Sequence, residues 1–216
     1  MLRTTRCLAL LCLTFPALAI GQDFSLNTRL LAAARAGDEG GVRQAIADGA
    51  NVNARNRLGE TVLVMALKNR RPGMAMRMID AGTDVNLAAV NGVTPLIAAA
   101  HGGYVEVVTT LLAKGADVSA VDQLKKNAMT YAAGQGNTEV VVLLLQAGVD
   151  ANAVYVHDLT ALMWAAGYGK TDTVKALLAA GAKAGLKDDR GKTALDMARE
   201  GSHSETARLL EGASGS

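Results

Sequence analysis

Two Gly-Lys-Thr strings, three histidines and paired acids such as Asp188-Asp189 are the residues of this chain whose types and spacing could do chemistry. Gly169-Lys170-Thr171 and Gly191-Lys192-Thr193 match the end of a phosphate-binding loop, in which backbone amides cradle a polyphosphate and the lysine reaches its terminus. That loop needs a further glycine five residues earlier and a strand before it. Trp164 and Leu186 stand at those places, and neither string follows a strand pattern. His101, His157 and His203 lie far apart, without a serine or carboxylate at a spacing that builds a proton relay. No His-x-x-x-His pair occurs, and Cys7 and Cys12 both sit in the N-terminal apolar run, so zinc finds no ligand set. Asp188-Asp189 reads as a solvated turn. The residues point to a chain that is not an enzyme, with no catalytic, metal or cofactor site.

The elements that would position these residues form a repeat. Gly49, Gly82, Gly115, Gly148 and Gly181 follow one another at intervals of 33. The unit 91–123 shows the pattern best: Thr94 caps a helix, Pro95 suits its first turn, and Ala98, Ala99 and Ala100 let backbones approach closely. Gly102-Gly103 break that helix, and Val107, Val108, Leu111 and Leu112 give the apolar stripe of a second one, which Gly115 ends in a left-handed conformation. An extended finger and turn follow. One such helix pair cannot bury its apolar face alone, so neighbours must stack.

The period, with Thr94-Pro95-Leu96 ahead of Ala99-Ala100, resembles the ankyrin repeat family. That resemblance implies an all-α ankyrin repeat solenoid of about six helix-turn-helix repeats with β-turn fingers. The units run 25–57, 58–90, 91–123, 124–156, 157–189 and 190–212, the first and last as polar caps, with a disordered tail at 213–216. In the second unit Arg70 replaces the inter-helix glycine, and its loop is expected to depart from the others. Met74, Met76 and Met78 follow, and Met78 takes the core position of Leu111. The family's histidine after Thr-Pro-Leu is Val64, Ile97, Thr130, Met163 and Asp196 here, so the Thr–His ties between adjacent repeats are missing and a looser array is expected.

The N-terminus falls outside the register. Arg3 and Arg6 precede an apolar run over 7–19 that is shorter than the ~20 residues of a spanning helix and contains Pro16. Ala17-Leu18-Ala19 has the small-x-small form of a signal-peptidase site, so 1–19 is expected to be a removed signal peptide and 20–24 a short leader. Without residues 1–19 the chain has no cysteine, and its formal charge falls from +2 to zero with the loss of Arg3 and Arg6, which gives no support for a nucleic-acid surface. No Asn-x-Ser/Thr sequon occurs, which favours a bacterial periplasm. The expected localisation is periplasmic or secreted, without membrane insertion after cleavage.

Recognition of a protein is what remains. The resemblance implies a concave surface made by the finger turns and the ends of the first helices, whose variable positions give Arg57, Lys68, His101, Leu124, His157, Leu159 and Tyr168 as protein-binding candidates. Arg55, Arg57, Lys68, Arg70 and Arg71 make the front basic; Leu124, Val156, His157, Leu159 and Tyr168 make the middle apolar. Tyr168 and Arg57 are the expected hot spots. The competing reading is a solvated basic face with leucines packed on neighbouring fingers. Trp164 shares the register of Met65, Ala98 and Tyr131, where the family packs an apolar side chain between repeats, so packing is its first reading and contact its second. The expected function is a non-catalytic, monomeric protein-binding module that binds or supports an envelope protein; the alternative is a secreted effector acting on a host protein. Similarity to exported bacterial ankyrin proteins, some tied to oxidative-stress defence, implies the former.

Overall fold

Twelve α-helices arranged in pairs account for nearly all regular structure among residues 17–213, the part of the chain that the computed structural model describes, with side chains from residue 25 onward. They are α1 (Ala17–Ala36), α2 (Glu39–Ala47), α3 (Val62–Lys68), α4 (Pro72–Asp80), α5 (Pro95–Gly102), α6 (Val105–Ala113), α7 (Ala128–Gln135), α8 (Thr138–Gln146), α9 (Ala161–Gly167), α10 (Thr171–Ala179), α11 (Ala194–Glu200) and α12 (Ser204–Ala213). Residues 1–16 of the expected signal peptide and 214–216 of the expected tail lie outside the described residues; α1 begins at Ala17 and runs through the leader. No described helix is long and apolar enough to cross a membrane.

Helices α3, α5, α7, α9 and α11 form an inner row, each packed on the next, and α4, α6, α8, α10 and α12 an outer row. Small residues make the inner spacing possible: Ala99, Ala100, Ala132, Ala133, Ala165, Ala166 and Ala198 are fully enclosed. The outer row fills the space behind with Met78, Leu111, Leu144 and Leu177, each buried completely and worth about 1.5–3 kcal/mol. The array is the all-α solenoid that the sequence predicts.

Each inner helix starts on a side-chain cap: Thr61, Thr94, Asn127, Thr160 and Thr193 accept from the amide three residues on. In three of the five repeats that lack the family histidine its replacement serves the cap instead, while Val64 and Ile97 are simply buried. Thr130 and Asp196 return a bond to the backbone amides of Asn127 and Thr193, and the Met163 sulfur does so for Thr160.

The ties between repeats come from another position. Arg71, Tyr104, Asn137, Lys170 and His203 precede the outer helices and reach over the inter-helix loop of the repeat before. Tyr104 donates to the Leu67 carbonyl at 3.4 Å, Asn137 Nδ2 to the Ala100 and His101 carbonyls at 2.8 and 3.1 Å, and His203 Nε2 lies 3.2 Å from the Gly167 carbonyl. Asn53, Asn86 and Asn152 add a second ladder by accepting from the amides of Asp84, Asp117 and Lys183.

The second repeat corrects an expectation. Its inter-helix loop does not depart from the others: Arg70 adopts φ +58, the left-handed conformation that Gly37, Gly103, Gly136 and Gly169 hold at the same register. Its amide and that of Arg71 bond the Leu67 and Ala66 carbonyls as Gly103 and Tyr104 bond Ala100 and Ala99. Packing of the helices on both sides imposes the turn, and the arginine bears a steric cost of about 1–2 kcal/mol.

Three of the fingers are closed by Asx turns; the third finger, with Ala89 at the same register, is closed by backbone bonds. Asn56, Asp122 and Asp188 each accept two backbone amides, from residues two and four ahead. Tyr155 stands at that register in the fifth finger and offers no such acceptor. There the chain turns through His157 and Asp158, both left-handed at φ +60 and +54. A backbone bond links the second finger to the third, the third to the fourth and the fifth to the sixth; among the described residues none links the fourth to the fifth.

Candidate functional site

Among the described residues the concave side carries a front and a rear cavity, with a smaller one of about 230 Å³ between them that is lined by Lys126, Tyr131, Trp164 and Tyr168. The front one, about 710 Å³, opens between the ends of α3, α5 and α7 and is lined by Lys68, Arg70, His101 and Gln135 over a floor that includes Val93 and Ile97. The rear one, about 380 Å³, lies between the fifth and sixth repeats, with Leu159, Met163, Trp164, Tyr168 and Met197 as walls and Arg190 and Glu200 at the rim.

The structure brings some predicted residues together and separates others. Lys68 and His101 share the front cavity, and Leu159 and Tyr168 share the rear one. Arg57 and Leu124 stand on fingertips outside both, Leu124 with 63% of its surface exposed. His157 also stands on a fingertip, where its Nδ1 meets the Asp189 carboxylate at 2.8 Å and ties the fifth finger to the sixth. Tyr168 is 56% exposed, and its ring stacks on Trp164 at 6.0 Å between centroids with 10° between planes. Trp164 is half-buried, so both sequence readings describe part of it: one region packs between repeats and another faces cavities.

Register explains the electrostatics. A residue just before the cap of an inner helix faces one near the end of that helix, eight residues on. In the second repeat these are Glu60 and Lys68, which form an ion pair; in the sixth they are Lys192 and Glu200, the same pair reversed. Burial pushes the Glu60 carboxyl up, but the Lys68 ammonium and the Asn56 amide outweigh it and hold it below the usual range. In the fourth repeat the partners are Lys126 and Gly134, so the ammonium has no acid to meet. It crosses instead to the Trp164 ring at 4.1 Å from the centroid, with the Tyr131 ring at 5.7 Å. Tyr131 in turn donates to Asp122 Oδ2 at 2.6 Å, and burial together with that carboxylate pushes its hydroxyl up to about 12. His101 meets the Tyr131 ring edge-on at 5.5 Å and lies 3.4 Å from the Gln135 amide.

Lys126, Tyr131 and Gln135 belong to the site but not to the predicted set. For Lys126 the signal was the pairing at a spacing of eight, visible in Glu60/Lys68 and Lys192/Glu200 and broken at Lys126/Gly134; Gln135 stands at a variable position of the fourth repeat, and Tyr131 shares the register of Trp164. Around the rear cavity the charges are spoken for: Arg190 clasps the enclosed Asp188 carboxylate at 2.8 Å and Lys192 holds Glu200. Burial raises the Asp188 carboxyl, but the amides of Lys192 and Arg190 and the guanidinium prevail and lower it.

The comparisons agree with this architecture. The family model for ankyrin repeats in three copies matches residues 30–122 and again 129–215. A solved structure, that of the ankyrin repeat protein EF0377, is 31% identical, covers 85% of this chain and 96% of its own, and superposes with a TM-score of 0.75. No curated protein matches the chain by sequence. The chain belongs to the ankyrin repeat family, whose repeats generally mediate protein–protein interaction.

Proposed function

We propose that this chain is an exported, non-catalytic module that holds a partner protein of the bacterial envelope across its concave face. The observation that carries the reading is the Trp164–Tyr168 stack beside the rear cavity: a large aromatic surface, half outside the core, flanked by Leu159 and two methionines and with every rim charge already paired. Such surfaces gain by desolvation against a partner and carry most of an interface's energy. The apolar N-terminal run with its Ala17-Leu18-Ala19 site supports export, and similarity to exported bacterial ankyrin proteins supports a supporting or inhibitory role towards an envelope enzyme.

The test compares the signal-cleaved chain with the Tyr168→Ala, Leu159→Ala variant as bait in a periplasmic extract of the source organism. The variant should keep a melting temperature within a few degrees of the parent, since neither side chain lies in the buried core. It should lose the partner that the parent retains. Equal retention by both would overturn the placement of the site, and fractionation that finds the chain in the cytoplasm would overturn export.

A further inference from the structure

The front cavity differs from the rear in what its charges are doing. Of the side chains that line it, none is a carboxylate. Arg70 has no ion pair among the described residues, and Lys68 shares its ammonium with Glu60 at the rim. The ends of α3 and α5, which point here, would normally attract cations through their free carbonyls. Those carbonyls are already engaged: Leu67 by the Tyr104 hydroxyl, and Ala100 and His101 by the Asn137 amide. The negative helix ends are thus answered from within the array, and the guanidinium of Arg70 is left over. That residue also occupies a left-handed turn where the other inner loops use glycine or, in the last repeat, Ser202. A strained side chain at a cavity mouth is a candidate for function.

We infer that the front cavity receives an acidic side chain, Asp or Glu, from an extended segment of a protein partner, with Arg70 as the anchoring cation. Arg70 gives the carboxylate a planar pair of donors. Gln135 and His101 add polar groups from the adjoining repeats, and Lys68 adds a second positive charge. Val93 and Ile97 form an apolar floor for an aliphatic neighbour of the acid, so the favoured segment alternates acidic and aliphatic residues. This rests on the concave face being the binding surface and names the chemistry of its front half.

The test is a selection from a random peptide library displayed on phage, run against the signal-cleaved chain and against its Arg70→Glu, Arg70→Gly and Tyr168→Ala variants. The parent and Tyr168→Ala should enrich peptides rich in Asp or Glu. Arg70→Glu should abolish that enrichment, and synthesised winners should bind it at least about tenfold more weakly, the loss of one charge-assisted contact. Arg70→Gly relieves the turn, so it should melt at a higher temperature than the parent and still lose the acidic peptides; this separates lost binding from lost folding. Winners without acidic bias, or acidic winners indifferent to both Arg70 variants, would overturn the inference while leaving the concave reading in place. Failure of every bait to enrich any peptide would overturn both.

Discussion

The front and rear cavities are built on the same backbone register, four repeats apart at their outer ends, yet they offer opposite chemistry. At the front, one finger-to-helix ion pair, Glu60–Lys68, leaves Arg70 unmatched above a lining that mixes polar and apolar side chains. At the rear, the mirror pair Lys192–Glu200 and the clasp of Arg190 on Asp188 neutralise the rim and expose methionine, leucine and stacked aromatic surface. The frame specifies where side chains face one another and is indifferent to their sign. Binding character in such an array is therefore written in pairs of positions, and reading single residues along the chain hides it.

The strongest way to break the comparison is Trp164→Ala. It removes the ring that supports Tyr168 and receives Lys126, and should cost about 2 kcal/mol, less than a fully buried tryptophan because the side chain is only half enclosed. Thermal melts should show the drop, and the rear cavity should lose its apolar wall while the front keeps its ligand preference. Next in size is Lys68→Glu, which sets two acids against each other with Glu60 nearly buried. A loss of about 1–2 kcal/mol is expected, reduced by the exposure of position 68. Adding Glu60→Lys recreates the order found at Lys192 and Glu200 and should restore most of that loss; a double variant no more stable than Lys68→Glu alone would refute the idea that the frame tolerates either sign. Arg70→Gly should move stability the other way, raising it by about 1 kcal/mol in urea unfolding, because the left-handed turn no longer carries a Cβ.

The smallest effect is spectroscopic. The Tyr131 hydroxyl should ionise at about 12, and Asp122→Asn should lower that value towards the ordinary 10.0. Both folded and unfolded chains keep this proton below pH 10, and the unfolded chain releases it first. The contribution is therefore present at neutral pH and lost as pH rises from about 10 through about 12. Melts of the parent and of Tyr131→Phe should converge in that range.

Much of this frame was legible. The glycines at 49, 82, 115, 148 and 181 and the capping threonines mark positions where geometry permits few residue types, so type and register coincide. The inter-repeat ties escaped notice for the opposite reason. At 71, 104, 137, 170 and 203 the requirement is a side chain long enough to reach the loop before it, and a guanidinium, a phenol, an amide, an ammonium and an imidazole all satisfy it. Arg70 misled because a glycine missing from the sequence need not mean a turn missing from the backbone. Of the seven binding candidates, four fall in the cavities, and the cation–π contact of Lys126 was hidden because its partner lies in the next repeat.

The break in the finger ladder between the fourth and fifth turns has a consequence for how strongly a partner can be held. It falls between the front cavity, which belongs to repeats two to four, and the rear cavity, which belongs to five and six. A partner that occupies both sites with two parts of one chain makes its second contact at an effective concentration on the order of millimolar, so two weak contacts combine into a tight one. Across that junction the spacing of the two sites is held by the packing of α7 on α9 and of α8 on α10, with no backbone bond between the fingers to reinforce it.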